Sequence, residues 1–549
     1  MSDKYKGGQN LLCAGTFGIE GGKRAGEDQV VETGVADTEV KRVVVVGGGS
    51  AGWIAACRLA AQVRRTGAGV RVTLIESRNV PTVGVGEGTW PTMRNTLAKI
   101  GIAETDFIRS CDAAFKQGAR FVGWTDGTPQ DGYYHPLNPP AGVTEIDLAP
   151  HWLHRGEGDA AFADWVDYQA MLCDAGLGPK TIVMPEYAGH ANYAYHLDAA
   201  KFATMLRDHG VGTLGIEHVL GDVLRPRMTD HGDIVHLELA DGRNVAGDLF
   251  VDCTGFAARL IGGIYDVPFR RCGDVLFADR AIALQVPYDD EDAPITCHTV
   301  STAQGSGWIW DIGLWSRRGV GHVYSSAHIS DDAAEAALRR HVGTAARGLT
   351  ARRISIEAGH RTRFWQNNCV AVGLSAGFLE PLEASALMLI EASMDAIADR
   401  LPRNRAAMDV MARQFNATFT HHWMRIIEFL KLHYVLTKRT DTDFWRDNVA
   451  ASSIPDGLVE RLAMWRHHSP GPQDFDHARE VFSWPSYQYI LHGMGFDSRQ
   501  PRIDPSAPEA GLAQRFVTRM QRAKDELRTR APRHRDLLRA IREHGLQRV

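Results

Sequence analysis

Residues 42–53, Arg-Val-Val-Val-Val-Gly-Gly-Gly-Ser-Ala-Gly-Trp, constrain the fold more than any other stretch. Four consecutive valines at 43–46 predict a strand buried on both faces, as in a parallel sheet. Gly47, Gly49 and Gly52 follow in G-x-G-x-x-G spacing, and residues 53–60 read as a helix. In that arrangement Gly47 makes the tight turn and Gly49 lets backbone approach a pyrophosphate. Gly52 lets helix pack on strand, and the helix N-terminus at Ser50 and Ala51 presents free N–H groups to phosphate. A second apolar run, 70–75, ends at Glu76, where the fingerprint places its ribose-binding acid. Strand, glycine turn, helix, strand and terminal acid in order predict a dinucleotide site.

Three further stretches extend the frame. Gly84, Gly86 and Gly88 form a second glycine cluster just past the second strand, and Gly86 is a candidate cofactor contact. Residues 248–253 form a short apolar run ending in Thr254-Gly255. Residues 368–372 form another, ending at Gly373. A chain that leaves its first βαβ unit and returns twice to the same sheet predicts the FAD-binding fold of aromatic hydroxylases. That is α/β, a parallel sheet plus an antiparallel substrate-side sheet, with a mainly helical C-terminal region. A plain dehydrogenase completes its sheet in successive βα units. The expected division is a flexible tail over 1–40, an FAD-binding box with interleaved substrate-side elements over 41–395, and a helical substrate cap over 396–549. Within it, residues 92–124 read as helical, closing in an apolar run at 120–124, and 125–155 as loops. Residues 160–177 and 196–209 read as helices, 267–326 as antiparallel strands, 405–437 as a helix, and 510–546 as a helix pair broken at Pro532.

The remaining composition excludes rather than selects. A net charge of −5 on 549 residues argues against a general nucleic-acid binder. No apolar run reaches membrane-spanning length. The eight cysteines lack C-x-x-C pairs, which fits reduced thiols and a cytoplasmic enzyme. His421-His422 and His467-His468 are adjacent pairs that do not face one way on a helix, so no metal site is expected. No second complete G-x-G-x-x-G unit for NAD(P)H is present.

Several stretches, in order along residues 41–545, carry a resemblance to the flavin-dependent tryptophan halogenases. They are Gly47-Gly48-Gly49-Ser50-Ala51-Gly52-Trp53, Gly84-Val85-Gly86-Glu87-Gly88-Thr89, Ala114-Phe115-Lys116 and Tyr193-Ala194-Tyr195-His196-Leu197-Asp198-Ala199. Gly307-Trp308-Ile309-Trp310-Asp311-Ile312 and Phe378-Leu379-Glu380-Pro381-Leu382-Glu383 complete the set. The resemblance implies a chemistry. Reduced FAD, supplied by a separate flavin reductase, takes up O2 to give a flavin hydroperoxide. Chloride or bromide is converted to hypohalous acid, and a lysine presents the halogen to a small electron-rich aromatic substrate. By family position that lysine is Lys116, and Glu383 is the active-site carboxylate that orients the reacting species and takes the ring proton. The resemblance further implies Ser385 and Ala386 as halide-binding residues and Phe115, Trp308 and Trp310 as channel walls. It leaves room for a homodimer.

Three departures qualify it. The family has Pro after W-x-W-x-I, where this chain has Gly313. It has Ser-Thr-Gly after the active-site Glu, where this chain has Ala384-Ser385-Ala386. The Tyr-Tyr pair and acid that hold free tryptophan lack a counterpart in the nearest stretch, residues 475–485, although Arg479 and Glu480 are there. These departures favour an indole-type substrate over free tryptophan, with bromide used at least as readily as chloride. The alternative is an FAD-dependent aromatic hydroxylase of the same fold, which lacks the lysine and the W-x-W element. A flavin-binding protein without turnover is the remaining reading, opposed by Lys116 and Glu383.

Overall fold

A computed structural model describes residues 39–548, apart from 81–85, 129, 155–159, 476–479, 501–502 and 505. The expected tail falls outside the described residues up to 38, as do Gly84 and Arg479.

The valine run forms the strand Arg42–Val46, buried from its second residue onward. It lies inside a six-stranded sheet in the order Trp365–Gln366, Cys369–Ala371, Leu249–Asp252, Arg42–Val46, Arg71–Glu76, Glu217–Leu220. Every neighbouring pair is parallel except the hairpin Trp365–Gln366 with Cys369–Ala371. Parallel neighbours require crossovers. The first is the helix Ser50–Thr66, which ends at Gly67 in the left-handed conformation with Arg64 and Arg65 in its last turn, complementing the helix dipole. The later crossovers are long, and they carry the substrate-side elements out of the sheet and back.

Residues 267–326 do form antiparallel strands. All but Phe269–Arg271 belong to a seven-stranded sheet in the order Arg352–Ser355, Arg280–Pro287, Arg317–Tyr324, Gly307–Gly313, Thr299–Gln304, Gly118–Val122, Gly132–Pro136. The last strand lies in the stretch read as loops. A three-stranded sheet joins the two large ones: Ala194–Asp198 at its centre, Gly86–Gly88 on one side and Ala114–Lys116 on the other. Here the structure corrects the sequence reading. Residues 92–124 hold the helices Thr92–Ile100 and Glu104–Ser110, but Lys116 stands on a strand. Likewise 196–198 are strand, and the helix Ala199–His209 begins where the Asp198 carboxylate accepts the N–H groups of Ala200 and Lys201, each at 3.1 Å.

The three-stranded sheet is anchored by Glu104, fully buried. Its carboxylate accepts from Lys180 Nζ at 2.8 Å and from Tyr187 N, Tyr193 OH and Tyr195 OH at 2.7 Å each. Four donors use all the acceptor sites of an ionised carboxylate, the condition under which a buried charge is tolerated.

The C-terminal part is mainly helical. Arg405–Val435 is N-capped by Asn404, whose side chain accepts from Ala407 N at 2.9 Å. Pro508–Arg530 and His534–His544 flank the break at Pro532. The expected boundary at 395 falls inside the helix Ser385–Ala398, and the described residues form one compact unit. No helix among them is long and apolar enough to cross a membrane.

Replacing Glu104 by Gln strands the Lys180 ammonium, which has no other ion-pair partner among the described residues. The expected loss is about 3–5 kcal/mol of stability, read as a lower midpoint in urea denaturation. An unchanged midpoint would contradict the anchoring role of Glu104.

Candidate active site

The glycine turn and the reactive residues line one cleft of about 490 Å³. At one end Gly47 has φ +117°, and a Cβ there would lie 2.2 Å from the Cys253 carbonyl oxygen. A Cβ on Gly52 would lie 1.8 Å from the Gly47 oxygen, so Gly52 sits behind the turn and supports it. Gly49 faces open space instead, with nothing within 4 Å of its Cβ position. The helix that follows has no acidic residue in its first turn and no side-chain cap, so the N–H groups at Ser50 and Ala51 remain available to an anion in the cleft. Glu76 lines the cleft at the end of its strand, with His218 Nε2 2.9 Å from its carboxylate. Gly86 and Gly373 line it as well, and a Cβ on Gly373 would meet the Ala51 methyl at 2.8 Å.

At the other end stand Lys116 and Glu383, both buried and both facing the cleft. Lys116 Nζ donates to the Thr89 carbonyl at 3.2 Å. Burial lowers its pKa to about 8, with Glu383 pulling in the opposite direction. For Glu383 burial acts to raise the pKa, but two imidazoles outweigh it and hold the carboxyl well below the usual range. His135 Nδ1 lies 3.0 and 3.1 Å from its two oxygens, and His433 Nε2 lies 3.2 Å from Oε1. His433 is itself set by Tyr133, whose hydroxyl is 2.7 Å from Nδ1. With the hydroxyl donating to Nδ1, the neutral ring presents its Nε2–H to Glu383. Trp90 Nε1 donates to the Glu383 carbonyl at 2.8 Å. A Cβ placed on Gly88 would lie 3.5 Å from Lys116 Nζ and 3.4 Å from the Ala384 methyl, so the lysine end and the Glu383 turn meet across this glycine.

Ala384, next to Glu383, has φ +53°, a left-handed conformation that costs a non-glycine residue about 1–3 kcal/mol. It starts the helix Ser385–Ala398, which carries neither a side-chain cap nor an acid in its first turn, and both Ser385 and Ala386 line the cleft. Trp310 lines it too, lying against Gly321 so closely that a Cβ there would be 2.1 Å from the indole edge. Phe115 and Trp308 do not line it. Strand alternation sends Phe115 away from Lys116 into a cluster with Tyr193, Tyr195 and His534. Trp308 points inward and donates from Nε1 to Glu380 at 2.8 Å, a carboxylate that also accepts from Tyr434 OH at 2.7 Å. Glu380 therefore orders the wall behind the site. At Gly313 a Cβ would come within 2.8 Å of Ile295, so this chain has filled the space beside that position.

The residues that sequence reasoning missed are His135, His433, Tyr133 and Glu87. Glu87 lines the cleft between the two glycines of its strand, and burial pushes its pKa up to about 7. Tyr133-Tyr134-His135 is a short aromatic run whose residues are all buried, so it shows no alternation and its strand is masked by the prolines and glycines of 125–155. His433 carried no local signal. His196 is buried and neutral, its Nε2 2.9 Å from Thr299 Oγ1, and Asp198 pairs with Arg317 at 2.8 Å.

The tryptophan halogenase profile matches residues 42–508. The tryptophan 6-halogenase SttH of Streptomyces toxytricini is 34% identical over 494 residues, covering 85% of this chain and 93% of that protein. The crystal structure of a tryptophan halogenase from Shewanella frigidimarina superposes with a TM-score of 0.89 at 44% identity, over 93% of this chain and 99% of that one. BrvH, a flavin-dependent halogenase from Brevundimonas sp. BAL3, gives 0.80 at 33% identity over 91% and 99%. The chain belongs to the tryptophan halogenase family. It is a flavin-dependent halogenase, an oxidoreductase, and the hydroxylase alternative is not favoured.

Removing one imidazole leaves burial less opposed, so the Glu383 pKa rises. The variant His433→Phe is expected to move the acidic limb of its rate profile to higher pH, because the carboxyl protonates more readily. An acidic limb at the wild-type pH would show that His433 does not hold the carboxylate ionised.

Proposed function

We propose that the chain uses reduced FAD, halide and O2 to halogenate an electron-rich, indole-type aromatic ring, with Lys116 and Glu383 as its catalytic residues. The observation that carries this reading is the shared cleft: a dinucleotide-type glycine turn at one end, a buried lysine and an ionised buried carboxylate at the other. Gly47, Gly49, Ser50, Ala51, Glu76, Gly86 and Gly373 suit FAD, since open space at Gly49 and the uncapped helix start fit a pyrophosphate and Glu76 a ribose. Gly52 serves by shaping the turn. When bound, reduced flavin with O2 supplies the oxidising power that turns halide into hypohalous acid. A separate NAD(P)H-dependent flavin reductase supplies the reduced cofactor, and the cytoplasm is the setting.

Main-chain N–H groups at Ser385 and Ala386, at an uncapped helix start, are donors for the halide. Lys116, with its ammonium stripped of water and held by a single carbonyl, donates a hydrogen bond to hypohalous acid and makes the halogen more electrophilic. Glu383 faces the ring and accepts its proton after substitution. Its low basicity suffices, because a halogenated cationic ring is far more acidic than an ordinary carboxylic acid. Aromatic side chains pack behind Glu383: Phe429 stacks on Phe482 with centroids 3.7 Å apart, and Trp90 meets Phe482 edge-on at 4.9 Å. In the cleft itself the Trp310 indole suits a flat aromatic guest. Glu480, the acid near the family's amino-acid-binding position, is turned onto His421 at 2.8 Å and Arg425 at 3.5 Å. The Arg425 charge already faces it, which leaves less of its charge for an amino-acid ammonium.

Lys116→Ala is expected to abolish halogenated product while leaving FAD binding and flavin reoxidation intact, and Glu383→Gln to slow product formation about 10²-fold. The assay supplies reduced flavin, O2, bromide and indole, and mass spectrometry reads the bromine isotope pair. Near wild-type bromination by Lys116→Ala would remove the lysine from the mechanism, and hydroxyindole without bromoindole would refute the reaction itself.

Competition between indole and tryptophan at equal concentration, in equal chloride and bromide, is expected to yield mainly bromoindole. Bromide is the more easily oxidised halide, and indole carries no charged groups to bury. Dominant chlorotryptophan would reverse the substrate and halide assignments.

A further inference from the structure

We propose that Cys173, Cys297 and His298 bind one soft d10 metal ion, zinc(II) or copper(I), in a buried site behind the Lys116 strand. Cys173 lies in the last turn of the helix Gln169–Asp174, and Cys297 and His298 lead into the strand Thr299–Gln304. One ligand atom from each residue lies within 4.8 Å of the other two, and all three residues are buried. Bonds of about 2.3 Å to sulfur and 2.0 Å to nitrogen place neighbouring ligands roughly 3.3–3.8 Å apart, so a small inward shift brings the three ligands to bonding distance, with a water as fourth ligand for zinc(II) or none for three-coordinate copper(I). Two sulfurs and an imidazole select soft ions over magnesium or calcium.

The ligand atoms have little else to do. Cys297 Sγ faces the Leu172 and Cys173 carbonyls, each at a long 3.9 Å, and its remaining polar neighbours are the Cys173 thiol and the His298 imidazole themselves. His298 Nδ1 is buried and makes no hydrogen bond among the described residues. A buried nitrogen without a partner is costly unless something fills the place. Binding releases one proton from each thiol and involves no electron transfer, because the ion enters in the oxidation state it keeps.

The position gives the ion a task. Gln117, next to Lys116, donates from its backbone N–H to the Cys297 carbonyl at 2.7 Å. From its side chain it donates to the Leu177 carbonyl, also at 2.7 Å. Both protein arms of the metal site are thus tied to the residue after the catalytic lysine. Thr299, one residue past His298, bonds His196 beside Lys116. The ion is structural, and it fixes the wall on which Lys116 rests. This departs from the sequence-based expectation of no metal, since the ligands come from distant stretches.

The test is metal analysis of the full-length chain, as purified and after loading with zinc or copper(I) and removal of excess. About one equivalent of one metal is expected, falling to background in Cys297→Ser and in His298→Ala. Cobalt(II) titration of the wild-type chain provides a readout independent of variant folding. A thiolate-to-cobalt charge-transfer band should appear and be displaced by zinc. No retained metal after loading, no such band, or a Cys173–Cys297 disulfide in unreduced protein would each overturn the proposal.

Discussion

Glu104 is the charge on which the reactive half of the molecule depends. Burying a carboxylate costs several kcal/mol unless it is paired and every lone pair is used, and here Lys180, two tyrosine hydroxyls and a backbone N–H do so. Tyr193 and Tyr195 lie at the start of the strand Ala194–Asp198, so the hub fixes that strand. Its two neighbours carry Gly86 and Gly88 on one side and Lys116 on the other. Gly86, Gly88 and Lys116 are therefore held by one small sheet, and their spacing is set by sheet geometry rather than by loops.

The two reactive groups meet the same low dielectric with opposite outcomes. Lys116 has one carbonyl partner, so desolvation dominates and the ammonium is destabilised. Glu383 has two imidazoles and stays ionised. Tuning neighbouring titratable groups apart is how a site assigns roles to them. The lysine is poised to give a hydrogen bond or a proton. The carboxylate, held well below the usual range, remains an acceptor at neutral pH.

The nucleotide end was legible because its constraints are local. A run of β-branched residues, glycines at fixed offsets and a terminal acid act within one βαβ unit, so Gly47, Gly49 and Glu76 could be placed without knowing the rest. The reactive end was legible only through resemblance. A three-residue strand such as Ala114–Lys116 is too short to show a period, and its partner lies some 80 residues away. That is why Lys116 was read among helical residues, and why Phe115, its neighbour in sequence, was assigned to a channel it faces away from. His135 and His433 come from a strand and from the last turn of a 31-residue helix. Nothing in either neighbourhood signals Glu383, which lies 248 residues from His135 and 50 from His433.

Trp310 owes its position to an absence. It lies over Gly321 on the adjacent strand, where any side chain would collide with the indole. The cleft's width at that wall is therefore governed from beneath, by a residue no guest touches. Alanine at 321 would tilt the ring into the cleft and narrow it; a smaller residue at 310 would open it without disturbing the strands. Changes in this pair reshape the cleft while leaving Lys116, Glu383 and the glycine turn in place, so one wall can vary independently of the rest.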